Sequence, residues 1–393
     1  LGVTMKIYKS YKLKNILNIV IFCISLSILL IFSKDNFENV KKSVSIFISS
    51  IIPSLFPFIF FTEFILNTDI LGTIQKTCGK FLTKLFNISE KSSPAVITGF
   101  LCGFPMGAKT VSKLYEDSEI SKYEADKLLL FINNCNPAFI LSTIGIGIFH
   151  NIYIGILLAT SHYISSILIG IFIRKKQPST IIHKKVQNLN SFNQNNKSRN
   201  ENLFEIIKKC IKSTFVTLSM ILGFMIIFNL LFCILDNILK FMNISNSNSS
   251  IISGLFEVTG GANNVVNSTL DIKTKIIVTS FLLGFSGMCI ISQIYSCISK
   301  YNFSFHKLVI SKFIHGILSM IITYIVLTYT NIIDYETICV YSDIDNYERA
   351  NYISNIKTSY LISTFLIIIF LFIYYIIRKK VAYKNIGHKK EGG

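Results

Sequence analysis

The stretch that decides the fold is "GFLCGFPMGAKT", residues 99–110, which carries three glycines and a proline between apolar runs. Glycine and proline are the two poorest residues for a helix interior, so this stretch predicts a break in the chain. At membrane depth, a non-helical backbone is tolerated only where protein buries it or where it lines a water-filled cavity. The alternative interpretation is a kinked element whose glycines permit close helix packing.

The composition of the whole chain indicates a membrane protein. It is 51% hydrophobic and 15% charged, whereas soluble domains carry about 25% charged residues. Eight apolar runs are close to the length of about 20 residues that spans a bilayer: 14–33, 43–66, 129–150, 152–173, 214–235, 276–297, 308–330 and 358–377. The first run follows lysines but lacks a small-residue cleavage site, so we interpret it as a retained anchor rather than a signal peptide.

The positive charges predict the topology. Under the positive-inside rule, cytoplasmic N- and C-termini place most of the 39 Lys and Arg residues, with the basic linker 174–212, on the cytoplasmic side. If 93–108 crossed the membrane completely, that linker would lie outside. We therefore predict that 93–108 and 251–270 are re-entrant hairpins. The net charge of +18 is a topology signal, and no nucleic-acid partner is predicted.

The two predicted hairpins also reveal an internal repeat. "VITGF" at 96–100 aligns with "IISGL" at 251–255, and the same offset of 155 residues aligns the runs 152–173 and 308–330. The predicted fold is therefore all-α, with about eight transmembrane helices, two re-entrant hairpins and inverted-topology repeats. Its parts are 1–42 (tail, first anchor and short outer loop), repeat units 43–173 and 213–330, the cytoplasmic linker 174–212, and 331–393 (acidic outer loop, last helix and basic tail).

The first repeat unit supplies polar residues at two breaks. A half-helix beginning at a proline would present its free N–H groups to an anion, and asparagine amides beside it could donate to a ligand. Alternatively, the asparagines only cap the broken helix, and Lys109 extends to the membrane surface. The candidate pathway residues here are Gly103, Pro105, Gly107, Lys109, Asn133, Asn134, Asn136 and Pro137.

The second unit places a carboxylate inside the membrane. A charge at the bilayer centre costs about 2.5–3.5 kcal/mol on insertion scales, so Glu257 is a candidate proton carrier, cation ligand or partner of a base. The alternative is a carboxylate that only caps a helix. Glu63, near the end of its run, can reach the interface and is less informative. The candidate residues of this unit are Glu257, Thr259, Gly260, Gly261, Asn263, Asn264, Ser286, Gly287, Ser292 and Gln293.

No enzyme signature is present in the sequence. There is no nucleotide-binding glycine loop, zinc-protease or serine-hydrolase motif, and neither the nine cysteines nor the six histidines have metal-ligand spacing. We predict no enzymatic activity, no cofactor and no metal, and we expect the cysteines to be buried apolar side chains.

Four motifs together resemble a known family: "GFLCGFPMGAKTVSKLYEDSEIS", "FINNCNPAFILSTIGIG", "GLFEVTGGANN" and "LLGFSGMCIISQI". They are similar to the sporulation integral membrane proteins of the nucleoside-recognition, or Gate-domain, superfamily, which includes the stage V dipicolinate transporter family. The resemblance runs from about Ile51 to Ser299. It implies a bacterial protein of the outer, mother-cell-derived forespore membrane that exports dipicolinic acid from the mother cell towards the forespore.

The predicted function is secondary-type transport of a small anionic solute, with dipicolinic acid as the first candidate. The alternatives are a nucleoside or nucleobase permease and a non-transporting scaffold or sensor in sporulation. The predicted partners are a small-molecule substrate and membrane lipid, and we allow a coupling proton or cation. The sequence does not indicate an oligomeric state.

Overall fold

The structure, a computed structural model, describes residues 30, 33–68, 70–174, 203–242 and 245–329. This part of the chain is helical and contains no strand. The α-helices in chain order are α1 Ser33–Ile46, α2 Ile52–Leu66, α3 Ile70–Phe86, α4 Ser93–Leu101, α5 Met106–Glu116, α6 Lys122–Leu129, α7 Ile152–Phe172, α8 Leu203–Phe241, α9 Asn246–Phe256, α10 Val258–Val266, α11 Ile272–Phe285, α12 Gly287–Ile298 and α13 Phe305–Tyr329. Two π-helices, Phe47–Ile51 and Phe139–Ile148, and one 3₁₀ turn, Glu90–Ser92, complete them.

Five helical stretches in the described residues are long and apolar enough to cross a membrane: Asn36–Leu66, Ile152–Phe172, Leu203–Phe241, Ile272–Ile298 and Phe305–Tyr329. They confirm the predicted all-helical membrane class for the described part of the chain. The predicted spans 14–33 and 358–377, the outer loop 331–357, the C-terminal tail and most of the linker 174–212 lie outside the described residues.

Two predicted spans are interrupted. The run 129–150 was expected to be broken near its start, and α6 does end at Leu129; helix resumes with a short turn at Pro137 and Ala138 that leads into the π-helix Phe139–Ile148. Three asparagines lie in the break and Pro137 opens the next turn, and these residue types favour breaks and caps over helix interiors. In the run 276–297, Ser286 has a left-handed φ of 74° and separates α11 from α12.

The segment 93–108 folds as a hairpin of α4 and α5. Gly103, with φ +77°, provides the left-handed turn residue. The arms pack closely because Gly107 faces Gly99, where a Cβ on Gly107 would lie 3.0 Å from the Gly99 Cα. One turn away, Thr98 Oγ1 donates to Thr110 Oγ1 at 3.0 Å. Contact between two glycines and a buried hydroxyl pair therefore define this hairpin.

The segment 251–270 folds as a second hairpin, of α9 and α10, with equivalent contacts. Gly254 faces Gly261, and Asn264 Nδ2 donates to Ser253 Oγ at 3.2 Å. Thr98 and Gly99 correspond to Ser253 and Gly254 at the offset of 155 residues. The turn, however, is at Glu257, whereas Gly260 and Gly261 lie inside α10.

Each hairpin returns to the end of the molecule from which it starts. Beside the start of α4, Ser92 Oγ donates to Glu124 at 2.6 Å, and at the end of α5, Glu116 pairs with Lys300 at 3.5 Å. We name this the linker end, because α7 finishes and α8 begins there. The second hairpin starts after the far end of α8, where Ser249 bonds to Asp236, and leads back into α11. We name that side the far end.

The turn of each hairpin rests on one of the two chain breaks. In the first unit, Phe104 N donates to Asn134 O at 2.9 Å, and a Cβ on Gly103 would lie 2.7 Å from Asn136 N. In the second unit, a Cβ on Gly287 would lie 3.1 Å from Gly254 O. Backbone contacts of this kind leave no room for side chains, so the interrupted helices and the hairpin turns meet inside the molecule.

Candidate functional site

A small cavity lies where the two hairpins and the two breaks converge. Its volume is about 30 Å³, which is room for one or two water molecules. The polar residues that line it are Asn136, Glu257, Thr259 and Gln293. The rest of its wall is apolar, from residues such as Phe104, Phe139 and Met225. We name it the central cavity.

Glu257 closes one wall of the central cavity as the N-cap of α10. Its two carboxylate oxygens accept from the backbone N–H groups of Thr259 at 2.8 Å and Gly260 at 2.6 Å. The side chain is buried. The capping role that the sequence left open is thus part of its geometry, and the acid is held where free N–H groups favour negative charge. Glu257 also lines the central cavity, so the same hydrogen bonds hold a carboxyl group at the cavity wall.

Asn136 also lines the central cavity and caps the helical turn that begins at Pro137 and leads into the π-helix Phe139–Ile148. Its Oδ1 accepts from Ala138 N at 2.7 Å, and its Nδ2 donates to Leu101 O at 3.1 Å. Asn133 and Asn134 do not line the central cavity. Each donates its side-chain amide to a backbone carbonyl, from Asn133 to Leu129 O at 2.9 Å and from Asn134 to Phe131 O at 3.2 Å. The capping interpretation therefore fits Asn136, whereas Asn133 and Asn134 stabilise the backbone of the break through hydrogen bonds to its carbonyls.

Three buried amide oxygens around the breaks have no hydrogen-bond partner in the described residues: Asn133 Oδ1, Asn134 Oδ1 and Gln293 Oε1. Gln293 lines the central cavity, and its Nε2 contacts only the Cys289 sulfur, at 3.3 Å. An unpaired buried polar group costs about 1–3 kcal/mol. Gln293 therefore carries hydrogen-bonding capacity that a solute or water in the cavity would satisfy.

A larger cavity of about 680 Å³ opens at the linker end. It shares Ile221 and Gln293 with the central cavity. Five lysines and three carboxylates line it: Lys109, Lys113, Lys209, Lys212, Lys300, Glu63, Glu116 and Asp117. Burial raises the pKa of the Asp117 carboxyl, although Lys113 opposes the shift. The excess of lysines makes this mouth favourable for anions.

Lys109 bridges three elements in this cavity. Its Nζ forms an ion pair with Glu63 on α2 and donates to Ser213 Oγ at 2.9 Å and Thr217 Oγ1 at 3.3 Å on α8. Lys109 does not simply extend to a membrane surface, as one interpretation had it. Glu63 is 5% exposed, so its carboxylate is held by Lys109 inside the protein and lines the cavity of the linker end.

Two cavities, of about 340 and 460 Å³, open at the far end. Gly260, Gly261 and Asn264 line the smaller cavity. Thr259 and Asn263 line the larger one, and Thr259 also belongs to the central cavity. Shared residues thus relate these cavities as a row: Gln293 lines both the cavity of the linker end and the central cavity, and Thr259 lines both the central cavity and the larger cavity of the far end.

The remaining predicted residues contribute in other ways. Pro105 lines the cavity of the linker end, and Gly103 and Gly107 shape the first hairpin. Ser286 and Gly287 form the break before α12 through their left-handed backbone. Pro137 follows the capping Asn136. Ser292 is half-buried and is not among the residues that line these four cavities.

The sequence analysis missed a buried basic cluster beside the first break. Lys312 Nζ donates to Asn133 O at 2.7 Å and lies 3.2 Å from His315 Nδ1. The rings of His315 and His162 are 4.5 Å apart, although the two histidines are far apart in sequence. A lysine inside an apolar run is the signal that marks this place. Among the described residues, no group of three or more His, Cys, Asp or Glu could hold a metal ion.

Comparisons with known proteins agree with the motifs. Residues 48–172 match the family model described as Gate, nucleoside recognition. The chain is 26% identical over 310 residues to the sporulation integral membrane protein YlbJ of Bacillus subtilis (strain 168), covering 72% of this chain and 75% of that protein. No solved structure matches.

The resemblance is therefore confirmed: residues 48–172 are similar to the Gate, nucleoside-recognition, family, and most of the chain is similar to a sporulation integral membrane protein.

Proposed function

We propose that this protein is a secondary-type membrane transporter of a small anionic solute, with dipicolinic acid as its first candidate substrate. The observation that carries the proposal is the row of cavities with shared lining residues. Its central member, which Asn136 and Glu257 line, has a volume of only about 30 Å³. A wide mouth at each end and a narrow polar centre is the arrangement expected of a closed transport pathway. The similarity to a sporulation membrane protein supports a role in spore formation.

The proposal includes the membrane arrangement. Both hairpins start and end on one side of the molecule, and they do so from opposite ends. We infer that they are re-entrant and that 43–173 and 213–330 are inverted repeats, the arrangement in which transporters bind solute near the bilayer midplane. In this arrangement the protein lies in the outer forespore membrane, and the linker end, with its lysines, faces the mother-cell cytoplasm.

The charges of the pathway fit an anion that enters from the linker end. Lysines at the mouth raise the local anion concentration, and the N-terminus of the π-helix Phe139–Ile148 begins at the central cavity. Glu257 repels a dianion unless a proton or cation neutralises it. A coupling proton or cation is therefore part of the proposal, with Glu257 as one of its ligands.

The test is uptake of radiolabelled dipicolinate by liposomes that contain the purified protein. We expect saturable uptake that Glu257→Gln reduces at least tenfold, with unchanged protein yield and elution on gel filtration. The matched control is Lys307→Gln, because Lys307 is exposed at the linker end and lines none of the four cavities. Absence of uptake by the unaltered protein would reject dipicolinate as its substrate.

A nucleoside or nucleobase permease is the second candidate, favoured by the family description matched at 48–172. Both substrates would use the amides of Asn136 and Gln293, but a neutral nucleoside would gain little from the lysines. Direct uptake separates the two: radiolabelled dipicolinate but not uridine should enter the liposomes under our proposal, and uridine but not dipicolinate under the alternative. A scaffold or sensor without transport would give no uptake of either compound, although both could bind.

A further inference from the structure

We propose that Lys312, with His315, forms a proton-binding site that couples proton movement to transport, separate from Glu257. This inference rests on the proposed function and identifies where a coupling proton would be held. The site lies on α13, where that helix crosses α7 and the break 130–138. Nothing in the pathway described above uses these residues.

Lys312 is buried without a compensating acid. Its side chain is 2% exposed, yet no carboxylate lies within 4.0 Å of its Nζ in the described part of the chain. Its contacts are the Asn133 carbonyl and the His315 ring. An uncompensated ammonium inside an apolar bundle is expensive. A side chain that only donated a hydrogen bond to the Asn133 carbonyl could be neutral, and burying it would cost much less free energy than burying an ammonium.

The surrounding groups suit a site that holds one proton and releases it. His315 Nε2 donates to His162 O at 2.9 Å, which leaves Nδ1 to accept from the Lys312 amine. His162 Nε2 accepts from Cys135 N at 3.0 Å, so its Nδ1 carries the hydrogen. Both histidines are therefore neutral in this arrangement. The proton moves between the Lys312 nitrogen and water, and only an N–H bond is made or broken.

Other ionisable groups around Lys312 are few. The break 130–138 contributes Cys135, which interacts electrostatically with Lys312. Helix α7 contributes His162 and Tyr163, and Tyr163 donates its hydroxyl to Cys135 O at 2.6 Å. The ionisable residues of α11 are Asp271, Lys273 and Lys275, all in its first turn at the far end. The charge of this cluster thus depends on Lys312.

The break connects Lys312 to the transport pathway, so protonation of Lys312 would affect the residues that line the central cavity. The ammonium holds the Asn133 carbonyl, and the next residue, Asn134, accepts from Phe104 in the turn of the first hairpin. Two residues further on, Asn136 lines the central cavity. Loss of the proton weakens the hold on Asn133 and frees the break to move against the hairpin turn. This is the two-state element that a coupled proton would control.

The experiment uses the full chain in liposomes on a solid-supported membrane, and it measures the transient current after a pH jump with no substrate present. The unaltered protein should give a current, because protons bind inside the protein. Lys312→Arg keeps a positive donor for Asn133, but guanidinium does not release its proton. We therefore expect Lys312→Arg to reduce the current to whatever part Glu257 carries, and to retain dipicolinate exchange between the two sides. Lys307→Arg, on the exposed start of the same helix, should retain both.

A second variant decides the matter if Lys312→Arg does not fold, as judged by gel filtration. His315→Gln removes the imidazole beside the amine and should shift the pH midpoint of the current. The proposal is overturned if Lys312→Arg keeps the full current, if Glu257→Gln alone removes it, or if His315→Gln leaves the midpoint unchanged. Because no substrate is added, these currents are independent of whether dipicolinate is the transported solute.

Discussion

The two hairpins share a scaffold and differ in where they place charge. Each is closed by a contact between two glycines and by a polar bridge one turn away, Thr98 to Thr110 in the first and Asn264 to Ser253 in the second. The first hairpin has a neutral turn and carries its charges on the second arm, where Lys109 is nearest the turn and Lys113 and Glu116 lie towards the linker end. The second has a neutral arm and carries its charge in the turn, at Glu257.

This difference shows that the two hairpins share their packing contacts but not their charged residues. At the offset of 155 residues, Cys102 corresponds to Glu257 and Lys109 corresponds to Asn264. The cation therefore lies in the wide mouth at the linker end, and the acid lies at the narrow centre. A solute that passes from one end to the other would meet two different environments within one symmetric frame.

The largest expected effect comes from removing the shared scaffold. A Cβ on Gly261 would lie 2.1 Å from the Gly254 Cα, so Gly261→Ala should prevent the second hairpin from closing and destabilise the protein by about 3 kcal/mol or more. Gly99→Ala should destabilise the protein by a similar amount by pushing the first hairpin away from the break, because the Cβ would lie 2.2 Å from Ile132 O. Melting temperature in detergent is the measurement.

The control for both is Gly223→Ala, because a Cβ on Gly223 of α8 meets nothing within 4 Å. Gly107→Ala should be milder than Gly261→Ala, since its contacts begin at 3.0 Å. Equal melting temperatures for Gly99→Ala, Gly261→Ala and the control would show that the hairpins do not pack as described.

Removing the cation of the first hairpin should have the next largest effect. Lys109→Met leaves the buried Glu63 without its partner, and we expect a loss of about 1–2 kcal/mol, because part of the Lys109 side chain is exposed to water. Adding Glu63→Gln should recover most of that loss. If the double variant is less stable than Lys109→Met alone, the two residues do not act as a pair.

Removing the acid of the second hairpin should affect stability less than it affects transport. Glu257→Ala loses the cap of α10, which we expect to cost about 0.5–2 kcal/mol. Cys102→Ala changes the equivalent position of the first hairpin and should leave transport nearly unchanged. Thermal melting and dipicolinate uptake of the two variants, measured side by side, separate the structural part from the functional part. Equal uptake by both would contradict a special role for the acidic turn.

The smallest effect should come from the polar bridges. Thr98→Val and Ser253→Ala each remove the side-chain hydrogen bond between the arms of a hairpin, together with the bond of the same hydroxyl to a backbone carbonyl three residues earlier, and we expect about 0.5–1.5 kcal/mol for each. The comparison predicts losses of similar size in the two hairpins. A loss in only one of them would show that the bridges are not equivalent.

The backbone pattern was easier to predict from the sequence than the contacts. Apolar run length identified the described spans, and glycine with proline indicated the first hairpin. The sequence did not say which residue makes each turn, because glycine permits both a left-handed turn, as at Gly103, and close helix packing, as at Gly261 in α10. The asparagines before Pro137 indicated the break in 129–150, but its extent back to Leu129 depends on contacts with other helices.

In the candidate site, too, individual residues could be predicted from the sequence, but contacts between distant helices could not. Glu257, Asn136, Thr259 and Gln293 were predicted and do meet at the central cavity. The partners of Lys109 and the cluster of Lys312, His315 and His162 could not be predicted, because each joins residues from distant helices whose packing one sequence does not reveal.

The most direct test of the account is the side of the membrane from which the flanks of each hairpin can be labelled. Cysteines introduced at the exposed Lys91 and Glu116 flank the first hairpin, and those at Asn248 and Lys273 flank the second. With a membrane-impermeant thiol reagent, we predict that the first pair is labelled from one side and the second pair from the other. Labelling that divides either pair between the two sides would contradict two re-entrant hairpins of opposite orientation.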